Sequence, residues 1–364
     1  MPAYLCIDGG GTKTSAWIAI RDEAGTRMAR GVAGSGNLTF GVDVVLASTS
    51  AAVSAAAAEL NSERGGEWPP FEAVWAGYAG CGRVSDRELL YPDLAPLFPH
   101  ASLRLTGDGD LLCAPMEGLG ASLICGTGAL AQLWCVPPHG EPVRLLRSGG
   151  WGPVLDDRGS AWSLGKAAVC SVLFYAANEM PLLSWQEQLL RRLGTDAEEL
   201  IRTTSALDTG LSHADADSKR KTTIAGFSDL VVAAAEQGDQ EAARILRRIA
   251  GEVCEILEPV RAKLDTVLEQ EAQEMDDEGR QRDGGERKEA TLVVAGSLGL
   301  NATFWSFVEE QFRARGWVWS RIAVADPARV GLEHLLRNAS TSGRSVKERV
   351  SGPPPRLTSS VQQL

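Results

Sequence analysis

The chain has 364 residues, with 36 Lys plus Arg against 47 Asp plus Glu, a formal charge of −11. That length exceeds what one hydrophobic core usually serves and predicts two domains. The acidic balance excludes the basic face that a nucleic-acid binder needs for counterion release. It leaves open phosphate chemistry through backbone N–H groups and Mg²⁺.

The first elements read as strands at 3–7, 14–20 and 26–32, an Ala-rich helix at 42–60, and short buried strands at 71–78 and 103–106. A second hairpin follows, with strands at 121–125 and 129–135 around Gly126-Thr127-Gly128. Helices are expected at 160–177, 182–193, 224–236 and 240–264, then a strand at 291–294 that runs into a glycine turn and a further helix. Alternating strands and helices make the class α/β, and a strand–glycine turn–strand device used twice suggests two related lobes. The segment 269–289 carries nine acidic and four basic residues with Ala272 and Met275 as its only apolar content, which predicts a disordered insertion. The stretch 343–364, with its Pro353-Pro354-Pro355 run, reads as a flexible tail.

Seven dispersed cysteines and four histidines show neither CxxC nor HExxH, which argues against a disulfide scaffold or a zinc site and for a reducing compartment. The N-terminal residues lack the pattern of a signal peptide, and the weakly apolar run at 44–58 is short for a bilayer span. The expected setting is cytoplasmic, with no membrane partner.

Asp8-Gly9-Gly10-Gly11-Thr12-Lys13-Thr14 is the segment richest in chemistry. Three glycines let consecutive N–H groups converge on an anion, Thr12, Lys13 and Thr14 add hydroxyls and a cation, and Asp8 suits a Mg²⁺ held through water. A dinucleotide fingerprint fails because Thr14 replaces its third glycine and a strand follows. A Walker A reading of 159–166 fails on spacing and on Ala167.

The segment resembles the phosphate-1 loop of the actin/hexokinase/Hsp70 superfamily, and more narrowly the N-acetylglucosamine kinase branch of the BadF/BadG/BcrA/BcrD ATPases. Leu105-Thr106-Gly107-Asp108, Ile124-Cys125-Gly126-Thr127-Gly128, Gly149-Gly150-Trp151-Gly152 with Asp157-Arg158-Gly159-Ser160, and Val294-Ala295-Gly296-Ser297 follow in the family's order. The resemblance implies two ribonuclease H-like lobes, an N-terminal one over 1–107 completed by a helix near 328–340 and a C-terminal one over 108–327. A nucleotide cleft between them is part of that expectation. It implies Asp108 as the base that accepts the sugar hydroxyl's proton, although a helix-capping role is also open to it. It implies ATP bound by Gly10, Gly11, Thr12, Lys13, Thr14, Gly126, Thr127, Gly128, Gly226, Gly296, Ser297 and Asn301, with Mg²⁺ at Asp8. Asn37, Asp108, Gly149, Gly150, Trp151 and Asp157 are the implied sugar contacts, although Trp151 would also serve as core.

Ala129 and Leu130 stand where the family usually has Ser-Asn, and Arg158 where it has Glu, so the nucleotide half matches better than the sugar half. The expected activity is an ATP-dependent sugar kinase that phosphorylates a hexosamine hydroxyl, N-acetylglucosamine to its 6-phosphate first, as a monomer or homodimer. The alternatives are a non-catalytic sugar and ATP sensor, or an ATPase that activates a redox partner.

Overall fold

The computed structural model describes residues 1–60, 67–137, 142–155, 157–207, 213–277 and 290–341. The described residues divide into two units, one formed by Met1–Pro115 together with 326–341, the other by Met116–Ala325. In the first, β1 (Ala3–Gly9), β2 (Thr14–Asp22) and β3 (Gly25–Ala33) form an antiparallel meander. Helix α1 (Val42–Leu60) leads to β4 (Phe71–Tyr78), and α2 (Val84–Leu94) to β5 (Ser102–Gly107). Strands β4 and β5 add in parallel on the other side of β1, giving the order β3-β2-β1-β4-β5.

Helix α1 has 19 residues and is, by length and composition, apolar enough to cross a membrane, so it outruns the apolar stretch read from the sequence. Its Val45, Thr49, Ala52, Val53, Ala56 and Ala57 are buried, and Thr49 shares a 2.6 Å hydrogen bond with the Tyr78 hydroxyl. These contacts give it the part of a core helix laid on β2 and β3. The approach is close because Gly31 has no side chain: a Cβ there would strike the Ala52 carbonyl and lie 2.6 Å from Ala56 N. Backbone atoms cannot step aside as a rotamer can. Gly31→Ala is therefore expected to cost about 2–3 kcal/mol, seen as a lower urea midpoint at unchanged m.

A 3₁₀ turn, Asp108–Cys113, follows β5, with Leu111, Leu112 and Cys113 buried. A Cβ at Gly77 on β4 would sit 2.9 Å from Leu111 Cγ, so this turn is packed into the first unit. The division of the chain thus falls after Pro115, later than the 107/108 boundary read from sequence.

The second unit repeats the plan. Strands β6 (Gly118–Cys125), β7 (Ala129–Val136) and β8 (Val143–Gly149) form an antiparallel meander. Helices α3 (Ala161–Ala177), α4 (Ser184–Leu193), α5 (Leu200–Ser205), α6 (His213–Ala225), α7 (Ser228–Glu236) and α8 (Gln240–Asp277) come next. Strand β9 (Thr291–Ala295), helix α9 (Ala302–Ala314) and β10 (Ser320–Ala323) complete the unit. Both late strands are parallel, β9 beside β6 and β10 beside β9. The order β8-β7-β6-β9-β10 is that of the first sheet, strand for strand. Each unit is a ribonuclease H-like α/β lobe of the actin-like ATPase fold.

Three expectations need correction. The single helix expected at 224–236 is two, parted at Gly226-Phe227. The helix expected to end at 264 continues to Asp277, so 269–277 is helical: Leu264 and Val267 are still buried, and Glu, Gln, Ala and Met then favour propagation. Residues 278–289, the remainder of the expected insertion, and the tail 343–364 lie outside the described residues.

The chain then returns to the first unit as α10 (Pro327–Thr341), which packs on β1, β2 and β4. A Cβ at Gly331 would lie 2.5 Å from Cys6 Sγ. Asp326 opens this helix, and its Oδ2 accepts from Trp17 Nε1 at 2.9 Å and pairs with Arg30 Nε at 3.1 Å.

Candidate functional site

In the first unit the β1–β2 hairpin closes with Gly9 opposite Thr14, leaving Gly10–Lys13 as the turn. Gly10 N donates to Lys13 O at 2.8 Å, while Gly11, Thr12 and Lys13 are exposed. The segment from Gly34 to Asn37 braces the turn: Gly36 N donates to Gly10 O at 3.0 Å, and Ser35 Oγ to the same oxygen at 3.4 Å. A Cβ at Gly36 would lie 2.6 Å from both Gly9 Cα and Thr14 Oγ1, so glycine is needed for that approach. Thr14 sits beneath the turn, fully buried, and its hydroxyl has no hydrogen-bond partner among the described residues.

Asp8 precedes the glycines at the end of β1, and Asp108 follows the end of β5, with β4 between these parallel strands. Carboxyl ends of parallel strands are where open α/β sheets receive ligands. The Asp8 carboxyl is pushed up to about 8, first by burial and then by the negative charges of Asp108 and Asp326, against the pull of Lys13 and Arg30. Asp108 Oδ1 accepts from Gly109 N at 2.9 Å. The capping contact at this turn belongs to Asp110, whose Oδ2 accepts from Gly107 N at 3.3 Å. Asp108 is thus the first residue of the turn and not its cap. Asn37 Oδ1 accepts from Thr39 N at 3.0 Å and from Thr39 Oγ1 at 2.8 Å, so its carbonyl is engaged in capping.

In the second unit the equivalent hairpin, β6–β7, turns through Gly126-Thr127-Gly128. Gly126 N donates to Gly128 O at 2.9 Å, and Ala161 N at the start of α3 donates to Gly126 O at 2.9 Å. Thr127 is exposed. The turn after β9 packs against it: Gly299 N donates to Cys125 O at 2.8 Å, and Gly296, at φ +92°, would bring a Cβ to 2.7 Å from Gly126 N. Ser297 is exposed, whereas Asn301 Oδ1 caps α9 by accepting from Phe304 N at 2.8 Å. Gly226 lies at the α6–α7 break, its carbonyl accepting from Arg192 Nη1 at 3.3 Å.

The loop after β8 is built on glycines with positive φ, Gly149 at +78°, Gly150 at +69° and Gly152 at +88°. They carry Trp151 out to 65% exposure, which removes its reading as core. Asp157, by contrast, is 1% exposed. Its Oδ1 accepts from Gly152 N at 3.3 Å, and its Oδ2 is 2.7 Å from Lys221 Nζ on α6. Arg158 points elsewhere, pairing with Glu255 of α8 at 2.9 Å. Glu252, one helical turn earlier, accepts from Gly159 N at 3.0 Å and from Ser163 Oγ at 2.6 Å and so secures the loop to α3 and α8. Neither Glu252 nor Lys221 is among the residues singled out from sequence. The only signal for the latter is the Lys219-Arg220-Lys221 cluster, which does not say which cation turns inward.

A glycine hairpin turn stands at the same place in two sheets of identical strand order, and such a turn can present backbone amides to an anion. The chain is similar to amino-sugar kinases. It is 28% identical over 205 residues to the N-acetyl-D-glucosamine kinase of Dictyostelium discoideum, which covers 54% of this chain and 62% of that protein. It is 28% identical over 204 residues to the glucosamine kinase of Vibrio cholerae, covering 55% of this chain and 65% of the relative. The chain thus spans under two thirds of the length of either kinase it matches. Solved structures from Chromobacterium violaceum (21% identity, TM-score 0.62, 92% of this chain and 99% of that one) and Porphyromonas gingivalis (17%, 0.64, 93% and 100%) share the fold. Both are named as candidate N-acetylglucosamine kinases. No family model matches the chain.

Of the sequence-derived residues, the first unit brings together Asp8, the 10–13 turn, the loop at Asn37 and Asp108. The second gathers Gly126, Thr127, Gly128, Gly296 and Asp157 around one turn, with Gly149 paired across β8 to Leu130 of β7.

Proposed function

We propose that the protein is an ATP-dependent amino-sugar kinase, transferring the γ-phosphoryl group to a hexosamine hydroxyl, N-acetylglucosamine at its 6-position first. The observation that carries this is the acidic pair at the strand ends of the first unit, Asp108 raising the proton affinity of Asp8 beside an exposed glycine turn. In this reading Asp108 orients the sugar hydroxyl and takes its proton as the phosphoryl group departs from the nucleotide. The amides of the Gly10–Lys13 turn and the Lys13 ammonium hold phosphate oxygens, and Asn37 offers its side-chain amide to the sugar. A divalent cation fits the same donors, because a partly buried carboxylate close to a second negative charge is stabilised by a cation at its oxygens. Asp8 would hold Mg²⁺, which screens the phosphates' charge when bound.

The test is ADP formation with MgATP and each of N-acetylglucosamine, N-acetylmannosamine, glucosamine and glucose. At least tenfold higher kcat/KM for an N-acetylated or free amino sugar than for glucose is expected. Tight ATP or sugar binding without turnover of any of the four overturns the kinase reading in favour of a sensor. Ala129, which is buried, and Leu130 in the strand after the second turn are the residues that set this test.

A further inference from the structure

Lys221 lies on α6 five residues before Gly226, and its side chain is 25% exposed. Its Nζ is 2.7 Å from Asp157 Oδ2, and no other hydrogen-bond or ion-pair partner of Lys221 occurs among the described residues. The pair rests directly on the last residue of the Gly126–Gly128 turn. A Cβ at Gly128 would be 3.1 Å from the Lys221 ammonium and 3.2 Å from Asp157 Oδ2. A side chain at that position would therefore push into both charges, and glycine lets them approach the backbone.

Two physical points follow. A carboxylate at 1% exposure is tolerated because a cation faces it, so Asp157 and Lys221 hold each other in place. An ammonium has three N–H donors, and its ion pair with Asp157 occupies at most one of them. The others belong to a cation that is part-exposed and in contact with a turn whose amides suit an anion.

We propose that Lys221 is a phosphate-binding residue, donating to the terminal phosphates of the nucleotide at the Gly126-Thr127-Gly128 turn. Asp157 is the positioning residue that aims it. This deepens the kinase reading, on which it rests, and it moves Asp157 from direct sugar contact to support of the phosphate site. The stereochemistry is economical: Asp157 also accepts from Gly152 N, so one buried carboxylate ties the loop after β8 to the cation over the turn. Lysine suits such a site as a mobile point charge, able to keep Asp157 while it donates to a phosphate oxygen.

The experiment compares the parent with K221M, K221R and D157N by calorimetric titration with ADP, adenosine and inorganic pyrophosphate, with thermal unfolding as the check on folding. In K221M, ADP and pyrophosphate affinity is expected to fall ~10- to 100-fold, the size of a lost charge-assisted contact, with adenosine affinity changed less than twofold. K221R is expected to recover most of the loss, and D157N to show a smaller loss of the same kind. Unchanged ADP and pyrophosphate affinity in folded K221M overturns the proposal, as does equal weakening of ADP and adenosine. If K221M does not fold, K221R and D157N carry the comparison, and parent-like ADP affinity in folded D157N then removes Asp157 as the positioning residue. A parent that binds pyrophosphate through Lys221 but not ADP leaves the cation site standing and removes the nucleotide reading. A parent that binds neither removes both.

Discussion

Replacing Asp108 with Asn is expected to lower kcat for sugar-dependent ADP formation by about 10²–10⁴-fold, the usual contribution of a positioned base. The KM for ATP should stay within about threefold, because the substitution keeps shape and one acceptor and removes only the charge and proton affinity. Asn at this position retains a carbonyl that can accept from Gly109 N, and the capping of the turn rests on Asp110. The fold is therefore expected to survive, and a small change in Tm with a large change in kcat is the diagnostic pair. If a folded Asp108→Asn enzyme keeps most of its kcat, the base lies elsewhere. The same substitution has a second, independent readout. Asp108 is among the charges that raise the Asp8 carboxyl, so its removal should lower the apparent pKa of Asp8 from about 8. That shift is measurable by NMR titration without any substrate.

Asp8 itself carries the second large effect. Its ordinary value of 3.8 applies to the unfolded chain, and the folded group sits at about 8. Between those limits the folded state binds more protons than the unfolded one, so stability contributed by this group falls as pH rises from about 4 through 8. The protein without divalent cation should therefore be less stable at pH 8.5 than at pH 6. Mg²⁺ should raise Tm more at the higher pH, because only the ionised carboxylate attracts it strongly. Asp8→Asn removes the buried charge. It is expected to raise the metal-free Tm at pH 8.5 by roughly 3–6 °C while abolishing the Mg²⁺-dependent rise and most of the sugar-dependent ADP formation that the proposed function calls for. A Tm that does not depend on Mg²⁺ at either pH would remove Asp8 as the metal ligand.

The parts of this molecule that were legible in its sequence are those where a strong local pattern met a single interpretation. The apolar run before Asp8 and the three glycines after it fix a strand and a tight turn, and both are in place. Helix α2 was not legible: it contains Pro92, and only Leu90 and Leu94 are buried, so no clear apolar stripe marks it. Strand β10 has four residues and no fully buried member, so it lacks the alternation that marks a strand. Strand β8 is an edge strand, and only Gly149 at its end is buried. In the site, Trp151 could not be told from core by residue type, since its exposure comes from the positive φ of the glycines beside it. Lys221 was illegible for a different reason. Its meaning depends on Asp157, far earlier in the chain, and on a glycine in a third segment. Local pattern finds turns; only the folded chain shows which charge is laid over them.

The return of α10 to the first unit has a consequence for synthesis. The 210 residues of the second unit, Met116–Ala325, are translated before that helix is made. At ~5–20 residues per second, this leaves β1, β2 and β4 without the helix that covers them for roughly 10–40 seconds. Cys6, buried in the finished protein against Gly331, has no cover from that direction during the interval. The later-translated unit is contiguous and can mature on the ribosome, whereas the one bearing Asp8 and Asp108 must wait for its last helix. Nascent chains arrested before residue 327 should accordingly be those that engage chaperones and titrate with thiol reagents at Cys6.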